Sequence, residues 1–372
     1  MKILIRQFLG KNHSWSVCGW GIANSLISKN HNVDLFSTDG VDNLPKNLQP
    51  YVIGYTKENE QKKVFGKLPD KDYDCQISYT AMKNFPVYLD GKKNRFGIWC
   101  YEWAGKNVLP NGFAKHYKDC DKILAPSNFA KQVFVDSGVP ADHIVVIPHG
   151  IDAQKYKEKD KIVLSNKKYK ILVNIAQNHI RKNIGKLLEA YGQAFTSKDD
   201  VCLILKGKDK KVESQFEVSL KDQLDVFYRK YPKHGEIKIY STFIEDISIL
   251  YRSVDAVFSF SNCEGFFFPG LEAIASGKLV IAPNWGGQVD FLNENNALLI
   301  SGKETRANPK SMYWESKSNA TWFEPDINDA VDKLRYSYDN FESINSKIDV
   351  DKIHNEYSWD TVTDKIISIC EK

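Results

Sequence analysis

Residues 256–276 read AVFSFSNCEGFFFPGLEAIAS. The apolar run Ala256–Phe260 is typical of a buried strand, and a helical pattern begins near Gly270. Glu264 falls in the loop between them, and Glu272 falls in the first turn of the helix. Two such carboxylates can accept hydrogen bonds from sugar or ribose hydroxyls, while a helix N-terminus favours a negatively charged ligand. The stretch therefore predicts a ligand site directly after a buried strand.

The same alternation of short apolar runs and amphipathic stretches extends over the whole chain. In the first half the predicted strands are Met1–Phe8, Asn32–Ser37, Cys75–Tyr79, Arg95–Trp99, Lys122–Ala125 and Ile144–Ile147. The pattern restarts after a lysine-rich segment, with strands at Ile171–Ala176, Val201–Lys206, Ile237–Tyr240, Ala256–Phe260 and Leu279–Ala282 and helices at Gly185–Phe195 and Gly270–Ser276. It predicts an α/β protein with two doubly wound parallel-sheet domains, whose strand ends face each other across a cleft.

Composition limits the classes of protein that the chain can represent. Its 372 residues suffice for two domains, and a net charge of +4 is too small to indicate a nucleic-acid-binding protein. The first 158 residues carry +5 and the remainder −1, a weak hint of an anionic acceptor or a membrane surface near the first half. Lys115, His116, Lys118 and Lys122 are candidates for such a contact, although a solvated helix face is the more ordinary interpretation.

Seven cysteines occur singly, without a C-x-x-C pair, which argues against a structural zinc site and against a redox dithiol. They are typical of reduced thiols in the cytosol. The N-terminus lacks the apolar core of a signal peptide, and no run approaches 18 apolar residues. We therefore expect a cytoplasmic protein that at most touches the cytosolic face of a membrane.

Two further strand-to-helix turns are candidate phosphate sites. The loop after the first strand ends in Gly19-Trp20-Gly21, and a helix is predicted from about Ile22. Glycines there would let the backbone approach a phosphate, although the spacing is not that of a dinucleotide fingerprint. The second turn carries Arg181 and Lys182, which can place a guanidinium and an ammonium on a diphosphate, although a basic pair is more often plain surface.

Taken together, the motifs resemble those of retaining glycosyltransferases of family 4 (glycosyl transferases group 1), which have the GT-B fold. Glu264–Ala273 is similar to the signature E-G-F-x-x-P-x-x-E-A of that family. Further similar segments follow the family's order along nearly the whole chain: Ala125–Phe129, Ser137–Val139, Ile147–Asp152, Ala176–Asn183 with Leu187–Ala190, Phe243–Ala256 and Tyr357–Trp359. The resemblance implies an acceptor-binding domain at 1–153, a nucleotide-sugar-binding domain at 154–355, and a C-terminal helix at 356–372 that packs back on the first domain.

The resemblance also implies roles for individual residues. Arg181 and Lys182 would neutralise the donor diphosphate, Glu272 would bind the ribose hydroxyls, and Glu264 would bind the transferred sugar. The implied donor contacts also include Gly265, Phe266, Phe267, Phe268 and Phe243, with Gly19 and Gly21 letting the first loop close over the diphosphate.

Three positions depart from the family pattern. Phe267 stands where many relatives have glycine, which would restrict the sugar or the acceptor. The usual first-domain histidine is missing from the run Trp99–Trp103, and some relatives carry W-E there, so Glu102 is the candidate nearest the reacting carbon. His149 replaces a common asparagine and is interpreted as a hinge residue.

The predicted reaction is transfer of a sugar from a nucleoside diphosphate sugar to a hydroxyl of a glycan, glycolipid or similar acceptor. No D-x-D pair is placed to hold a metal, and no cofactor is expected. The alternatives are another GT-B enzyme, such as a nucleotide-sugar epimerase or a phosphorylase, and a non-catalytic glycan- or nucleotide-binding protein. The sequence does not predict the base, the sugar, the acceptor or the oligomeric state.

Overall fold

The computed structural model describes residues 1–11, 13–57, 63–175, 177–207, 212, 214–242, 244–312 and 319–371. Contacts divide the chain into two compact units. Unit 1 comprises Met1–Tyr101, Leu109–Asp152 and Asn355–Lys372, whereas unit 2 comprises Glu102–Val108 and Ala153–His354.

Unit 1 is built on one sheet, which has eight strands among the described residues. The strands are β1 Lys2–Gln7, β2 Asn32–Ser37, β3 Val52–Thr56, β4 Val64–Gly66, β5 Cys75–Tyr79, β6 Arg95–Ile98, β7 Lys122–Ala125 and β8 Ile144–Val146. Their order is β4-β3-β2-β1-β5-β6-β7-β8, and only the β3–β4 pair is antiparallel. The helices of the first 152 residues are α1 Ser14–Ser28, α2 Phe85–Tyr88 and α3 Asn128–Asp136.

Unit 2 contains a wholly parallel sheet, of six strands in the described part of the chain, in the order β11-β10-β9-β12-β13-β14. These strands are β9 Tyr169–Asn174, β10 Val201–Lys206, β11 Glu236–Tyr240, β12 Ala256–Phe258, β13 Leu279–Pro283 and β14 Ala297–Ile300. The antiparallel hairpin of β15 Gly302–Arg306 and β16 Thr321–Pro325 follows. The helices are α4 Ala153–Lys157, α5 Ile184–Ala194, α6 Leu220–Lys230, α7 Ser248–Arg252, α8 Phe268–Ala275, α9 Ile327–Asn345 and α10 Val350–Tyr357.

The last helix, α11 Trp359–Cys370, belongs to unit 1. Ser358 pairs with Ile151, and the Ser25 hydroxyl of α1 donates to Asp360 at 2.6 Å. The chain therefore returns to its first unit at the end.

The predicted α/β class with two parallel, doubly wound sheets is confirmed. Buried apolar runs make central strands, because helices cover both faces of a parallel sheet. The bounds of β2, β5, β7 and β10 are those predicted, whereas β12 ends two residues earlier and α8 begins two residues earlier than predicted. Ala176, at the end of another predicted strand, lies outside the described residues.

Each sheet reverses its strand order at one point. In unit 2 the reversal lies between β9 and β12, which are parallel neighbours although β10 and β11 separate them along the chain. Such a switch point, at the carboxyl ends of the strands, is where open α/β sheets bind ligands. No helix in the described portion of the chain is long and apolar enough to cross a membrane.

Candidate active site

The switch point of unit 2 brings two of the predicted motifs together. The chain leaves β9 toward Arg181 and Lys182, and it leaves the neighbouring β12 toward Glu264. The backbone N–H of Asn262 donates to the Arg181 carbonyl at 2.7 Å, which joins the two loops. Two motifs about eighty residues apart in sequence thus meet because their strands are neighbours in the sheet.

The carboxylate of Glu264 is held by both cations. Arg181 Nη1 lies 2.9 Å from Glu264 Oε2, and Lys182 Nζ lies 2.5 Å from Oε1. Arg181 Nη1 also donates to the Cys263 carbonyl at 2.9 Å. Both Arg181 and Glu264 are buried, so these ion pairs are little screened by solvent.

The charges around Glu264 favour the ionised form of its carboxyl group. Burial raises the pKa of Glu264, but Arg181 and Lys182 outweigh it and lower the pKa to about 2. Burial lowers the pKa of Lys182, and the attraction of Glu264 opposes that shift. A carboxylate so strongly paired is a poor base and a poor nucleophile at neutral pH.

Glu102 belongs to the same cluster, because the segment Glu102–Val108 packs in unit 2 although the residues on either side of it belong to unit 1. Its carboxylate Oε1 lies 3.4 Å from Arg181 Nη2, and burial raises its pKa, with Arg181 opposing. The sequence prediction placed residues 102–108 in the first domain, but this segment packs in unit 2, where Ala104 pairs with Thr321. The candidates Arg181, Lys182, Glu264 and Glu102 therefore meet in one place.

The turn that carries the two cations has a defined backbone. Residues Ile180–Lys182 form a single 3-10 turn, and Asn183 adopts a left-handed conformation (φ 53°) before α5 begins at Ile184. Asparagine tolerates this conformation better than most residues, which explains the abrupt entry into the helix.

The Glu264 loop is fixed from the other side by a glycine pair. Gly287 N donates to the Glu264 carbonyl at 2.8 Å, and a Cβ at Gly287 would overlap the Gly265 carbonyl. Gly286 adopts φ 90°, a conformation that favours glycine. Close backbone approach thus holds the loop that presents Glu264.

Glu272 lies on α8 and has two tyrosine partners. The Tyr156 hydroxyl donates a hydrogen bond to Glu272 Oε1 at 2.8 Å, and Tyr251 forms a second hydrogen bond with the same carboxyl group. Burial raises the pKa of Glu272 to about 7, although both hydrogen bonds act in the opposite direction. Neither tyrosine was predicted as a site residue. Tyr156 lies in no motif, Tyr251 lies in the family-like segment Phe243–Ala256 without an implied role, and both reach Glu272 only in the folded unit.

The three phenylalanines differ in position. Phe266 and Phe267 are buried and Phe268 is half-buried, and the Phe266 ring lies 5.2 Å from that of Phe291. Phe267 adopts φ 76°, a left-handed conformation that costs a non-glycine residue roughly 1–2 kcal/mol. The ring therefore stands at a backbone position suited to glycine. The donor-binding roles of Gly265 and these residues stay predictions.

The prediction for Gly19 and Gly21 is wrong in its structural premise. Helix α1 begins at Ser14, after the His13 side chain accepts a hydrogen bond from Trp15 N, so both glycines lie inside a helix and are buried. A Cβ at Gly21 would overlap the Trp359 ring, and one at Gly19 would meet Leu9. Their small size admits neighbouring side chains, which gives a diphosphate role no support.

The backbone of the loop after β1 already binds an anion from the same unit, the carboxylate of Asp39, which follows β2. Asp39 Oδ1 accepts from Leu9 N at 2.8 Å and Gly10 N at 2.7 Å, and its Oδ2 accepts from Lys11 N at 3.0 Å. Successive backbone N–H groups of this kind bind phosphate in other proteins. Here the carboxylate of the same unit occupies them.

His149 is buried, and burial lowers its pKa to about 3. It shares a hydrogen bond of 3.1 Å with the Tyr79 hydroxyl. Phe243, a predicted donor contact, lies outside the described residues. Within the described ranges, no group of three His, Cys, Asp or Glu residues is arranged to hold a metal ion.

Known proteins share both the sequence motifs and the fold. Residues 80–155 match the family Glycosyltransferase Family 4, and residues 155–316 match Glycosyl transferases group 1. The chain is 26% identical over 217 residues to the lipopolysaccharide 1,2-N-acetylglucosaminetransferase of Salmonella typhimurium, a match that covers 50% of each chain. It is 23% identical over 282 residues to an uncharacterised glycosyltransferase of Methanocaldococcus jannaschii, a match that covers 72% of this chain and 64% of that relative.

Among solved structures, that of HepE from Anabaena in complex with UDP-glucose superposes with a TM-score of 0.69 at 16% identity, over 100% of this chain and 99% of that one. Two parallel-sheet units of this kind define the GT-B class of glycosyltransferase folds. The two family matches together span residues 80–316, and the chain belongs to the glycosyltransferase family 4 / glycosyl transferases group 1 family. The chain spans about half to two thirds of the length of the two curated relatives that it matches.

Proposed function

We propose that the protein transfers a sugar from a nucleoside diphosphate sugar to a hydroxyl of a glycan, glycolipid or similar acceptor, with retention of anomeric configuration and without a metal. The observation that carries the proposal is the buried cluster of Arg181, Lys182 and Glu264 at the switch point of unit 2. Two cations and one anion are complementary to the phosphates and hydroxyls of a sugar diphosphate, which supports the proposal.

The two cations would stabilise the leaving group. A guanidinium has five N–H donors and an ammonium three, more than the carboxylate of Glu264 can take up. When the sugar–diphosphate bond breaks, negative charge grows on the departing phosphate. Arg181, Lys182 and the N-terminus of α8 would stabilise that charge, which is electrostatic catalysis by groups already in place.

The state of Glu264 supports retention without a covalent intermediate. A double displacement requires a carboxylate nucleophile close to the anomeric carbon. Glu264 carries a cation on each oxygen, and its pKa of about 2 makes it a weak nucleophile. We infer that the acceptor hydroxyl attacks on the leaving-group face and passes its proton to the departing phosphate, while Glu264 binds hydroxyls of the transferred sugar.

Acceptor recognition is assigned to unit 1, and a cytosolic location with weak membrane contact is part of the same proposal. The Salmonella relative is named for transfer of N-acetylglucosamine to lipopolysaccharide, which supports a glycan or glycolipid acceptor. Of the four basic candidates, His116 pairs with Asp119 and Lys122 donates to the Asp142 carbonyl. Lys115 and Lys118 are exposed, so any contact with an anionic surface rests on these two.

Thermal unfolding with a panel of nucleosides and their mono- and diphosphates tests the donor site. A ligand that binds only the folded state raises the transition temperature by mass action. We expect one nucleoside diphosphate to stabilise the protein more than its monophosphate, because the second phosphate adds charge beside Arg181 and Lys182. The Lys182→Ala variant should lose most of that difference. No response to any nucleotide would contradict the proposal.

A further inference from the structure

Tyr156 makes a direct hydrogen bond to the carboxylate of Glu272. It is buried on α4, the short helix at the start of the Ala153–His354 part of unit 2, and its hydroxyl donates to Glu272 Oε1 at 2.8 Å. Its ring centroid lies 6.3 Å from that of Tyr251, the second partner of the same carboxyl group. Two hydroxyl groups thus converge on one acid.

Both tyrosines are themselves held in place. Asn174, the last residue of β9, donates to the Tyr251 hydroxyl at 3.0 Å. On the other side, the buried Arg252 side chain donates to the carbonyl of Lys155, the residue before Tyr156, and pairs with Asp160 at 2.5 Å. Arg252 therefore anchors the backbone of α4 next to Tyr156.

The other charged groups around Glu272 are few. Helix α4 also carries Lys155 and Lys157, and Lys157 pairs with Asp351 at 3.4 Å. Before α7, Asp246 raises the pKa of Glu272 and lies 3.7 Å from Arg252. At the far end of α8, His354 of α10 bonds to the Ala275 carbonyl at 2.7 Å. The strands β12 and β13 beneath α8 carry no charge.

We propose that Tyr156 is a positioning residue for donor binding: its hydroxyl fixes Glu272 Oε1 and favours the ionised carboxylate that accepts hydrogen bonds from the donor ribose. This inference rests on the proposed function, in which Glu272 binds the ribose. It adds that the affinity for the nucleotide depends on pH, and that the Tyr156 hydroxyl determines the midpoint of that pH dependence.

The direction of the pH effect follows from the chemistry. A carboxylate accepts hydrogen bonds from hydroxyls more strongly than a neutral carboxyl group does. The pKa of Glu272 is about 7, so affinity for the nucleotide should rise as the pH rises through neutrality. Removing a hydroxyl that donates to the ionised form raises the pKa of Glu272 further, and the rise in affinity moves to higher pH.

The test is isothermal titration of UDP, GDP and ADP, carried out from pH 6 to pH 9, followed by the same titration of variants with the diphosphate that binds best. For Tyr156→Phe we expect affinity at pH 7 to fall about five- to tenfold, and the midpoint of the pH dependence to rise by about one pH unit. Tyr169→Phe is the matched control, because it also removes a buried tyrosine hydroxyl, which donates to Ser337 at 2.8 Å. It should change neither quantity.

A double-mutant cycle separates positioning from general loss of structure. Glu272→Gln should remove the pH dependence, and adding Tyr156→Phe to it should have little further effect. An unchanged affinity and midpoint in Tyr156→Phe, or an equal loss of affinity in the Glu272→Gln background, would overturn the inference. If wild-type protein binds neither these three nor any other nucleoside diphosphate at any pH, the proposed function fails and this inference falls with it.

Discussion

Glu264 combines burial with a cation on each carboxylate oxygen. Such a cluster contributes little net stability, because the attraction between the charges offsets the cost of removing them from water. Loss of one member is different, because it leaves the others buried and uncompensated. This balance is consistent with the proposal that the cluster serves ligand binding rather than stability.

Glu264→Gln keeps the size of the side chain and removes its charge. We expect turnover to fall about 100-fold or more, as for loss of other residues that act directly in an electrostatic site. Affinity for the nucleoside diphosphate should stay unchanged or increase, because Arg181 and Lys182 then lack an internal anion. Single-turnover kinetics and titration calorimetry measure the two effects. Unimpaired turnover would contradict a direct role of Glu264 in sugar transfer.

Glu189→Gln is the control for that variant. Glu189 also bridges two lysines, Lys186 at 2.8 Å and Lys230 at 2.5 Å, but these lysines are exposed. Exposed pairs contribute roughly 0–1 kcal/mol, so neither stability nor turnover should change much. Glu264→Gln should instead lower the free energy of unfolding by about 3 kcal/mol near neutral pH.

That stability difference should depend on pH. The pKa of Glu264 falls from the ordinary 4.5 to about 2 on folding, so the stabilisation is complete above pH 4.5 and is lost as the pH falls toward 2. Denaturant unfolding at pH 6 and pH 3 should show wild type and Glu264→Gln converging at the lower pH. A difference that stays constant would mean that the charge of Glu264 does not stabilise the fold.

At the scale of single elements, α8 is preceded by a residue with an unfavourable backbone conformation. Phe267 precedes the helix with φ 76°, and its ring packs where a Cβ on Gly270 would lie. The ring occupies a place where the family resemblance leads one to expect glycine. Packing of the ring thus offsets the unfavourable backbone conformation.

Substitution of Phe267 by glycine and by alanine tests this interpretation. Both variants lose the ring, and they differ only in the Cβ that the left-handed conformation disfavours. We expect Phe267→Gly to be more stable than Phe267→Ala by about 1 kcal/mol, measured by denaturant unfolding. The same two substitutions at Phe266, where φ is not positive, should give the opposite result, with the alanine variant more stable than the glycine variant. Alanine more stable at both positions would rule out strain at Phe267.

Helix α1 shows where local sequence misleads. Its first two turns contain Gly19, Gly21 and two serines, which favour a loop by propensity. The structure overrides that preference because the glycines make room for Leu9 and Trp359. Trp359 is distant in sequence, so no local pattern predicts the contact.

At the scale of the whole molecule, the features that could be predicted from the sequence are those set by strand periodicity and by residues adjacent along the chain. Both parallel sheets and the motifs around Arg181 and Glu264 fall in this group. The position of Glu102 beside Arg181 depends on pairing between Ala104 and Thr321, and the tyrosines around Glu272 depend on how α4 and α7 pack on α8. Contacts of this kind arise only from the folded unit, which is why the sequence did not reveal them.

Turnover of a panel of nucleotide sugars is the measurement that bears most directly on sugar transfer. We expect the wild-type protein to release nucleoside diphosphate slowly from one donor by hydrolysis, with unchanged rate in a chelator, and to form product with the anomeric configuration of the donor, as read by proton NMR. Lys182→Ala should abolish the release. Release that requires a metal, a product of inverted configuration, or no release from any donor would contradict the proposed reaction.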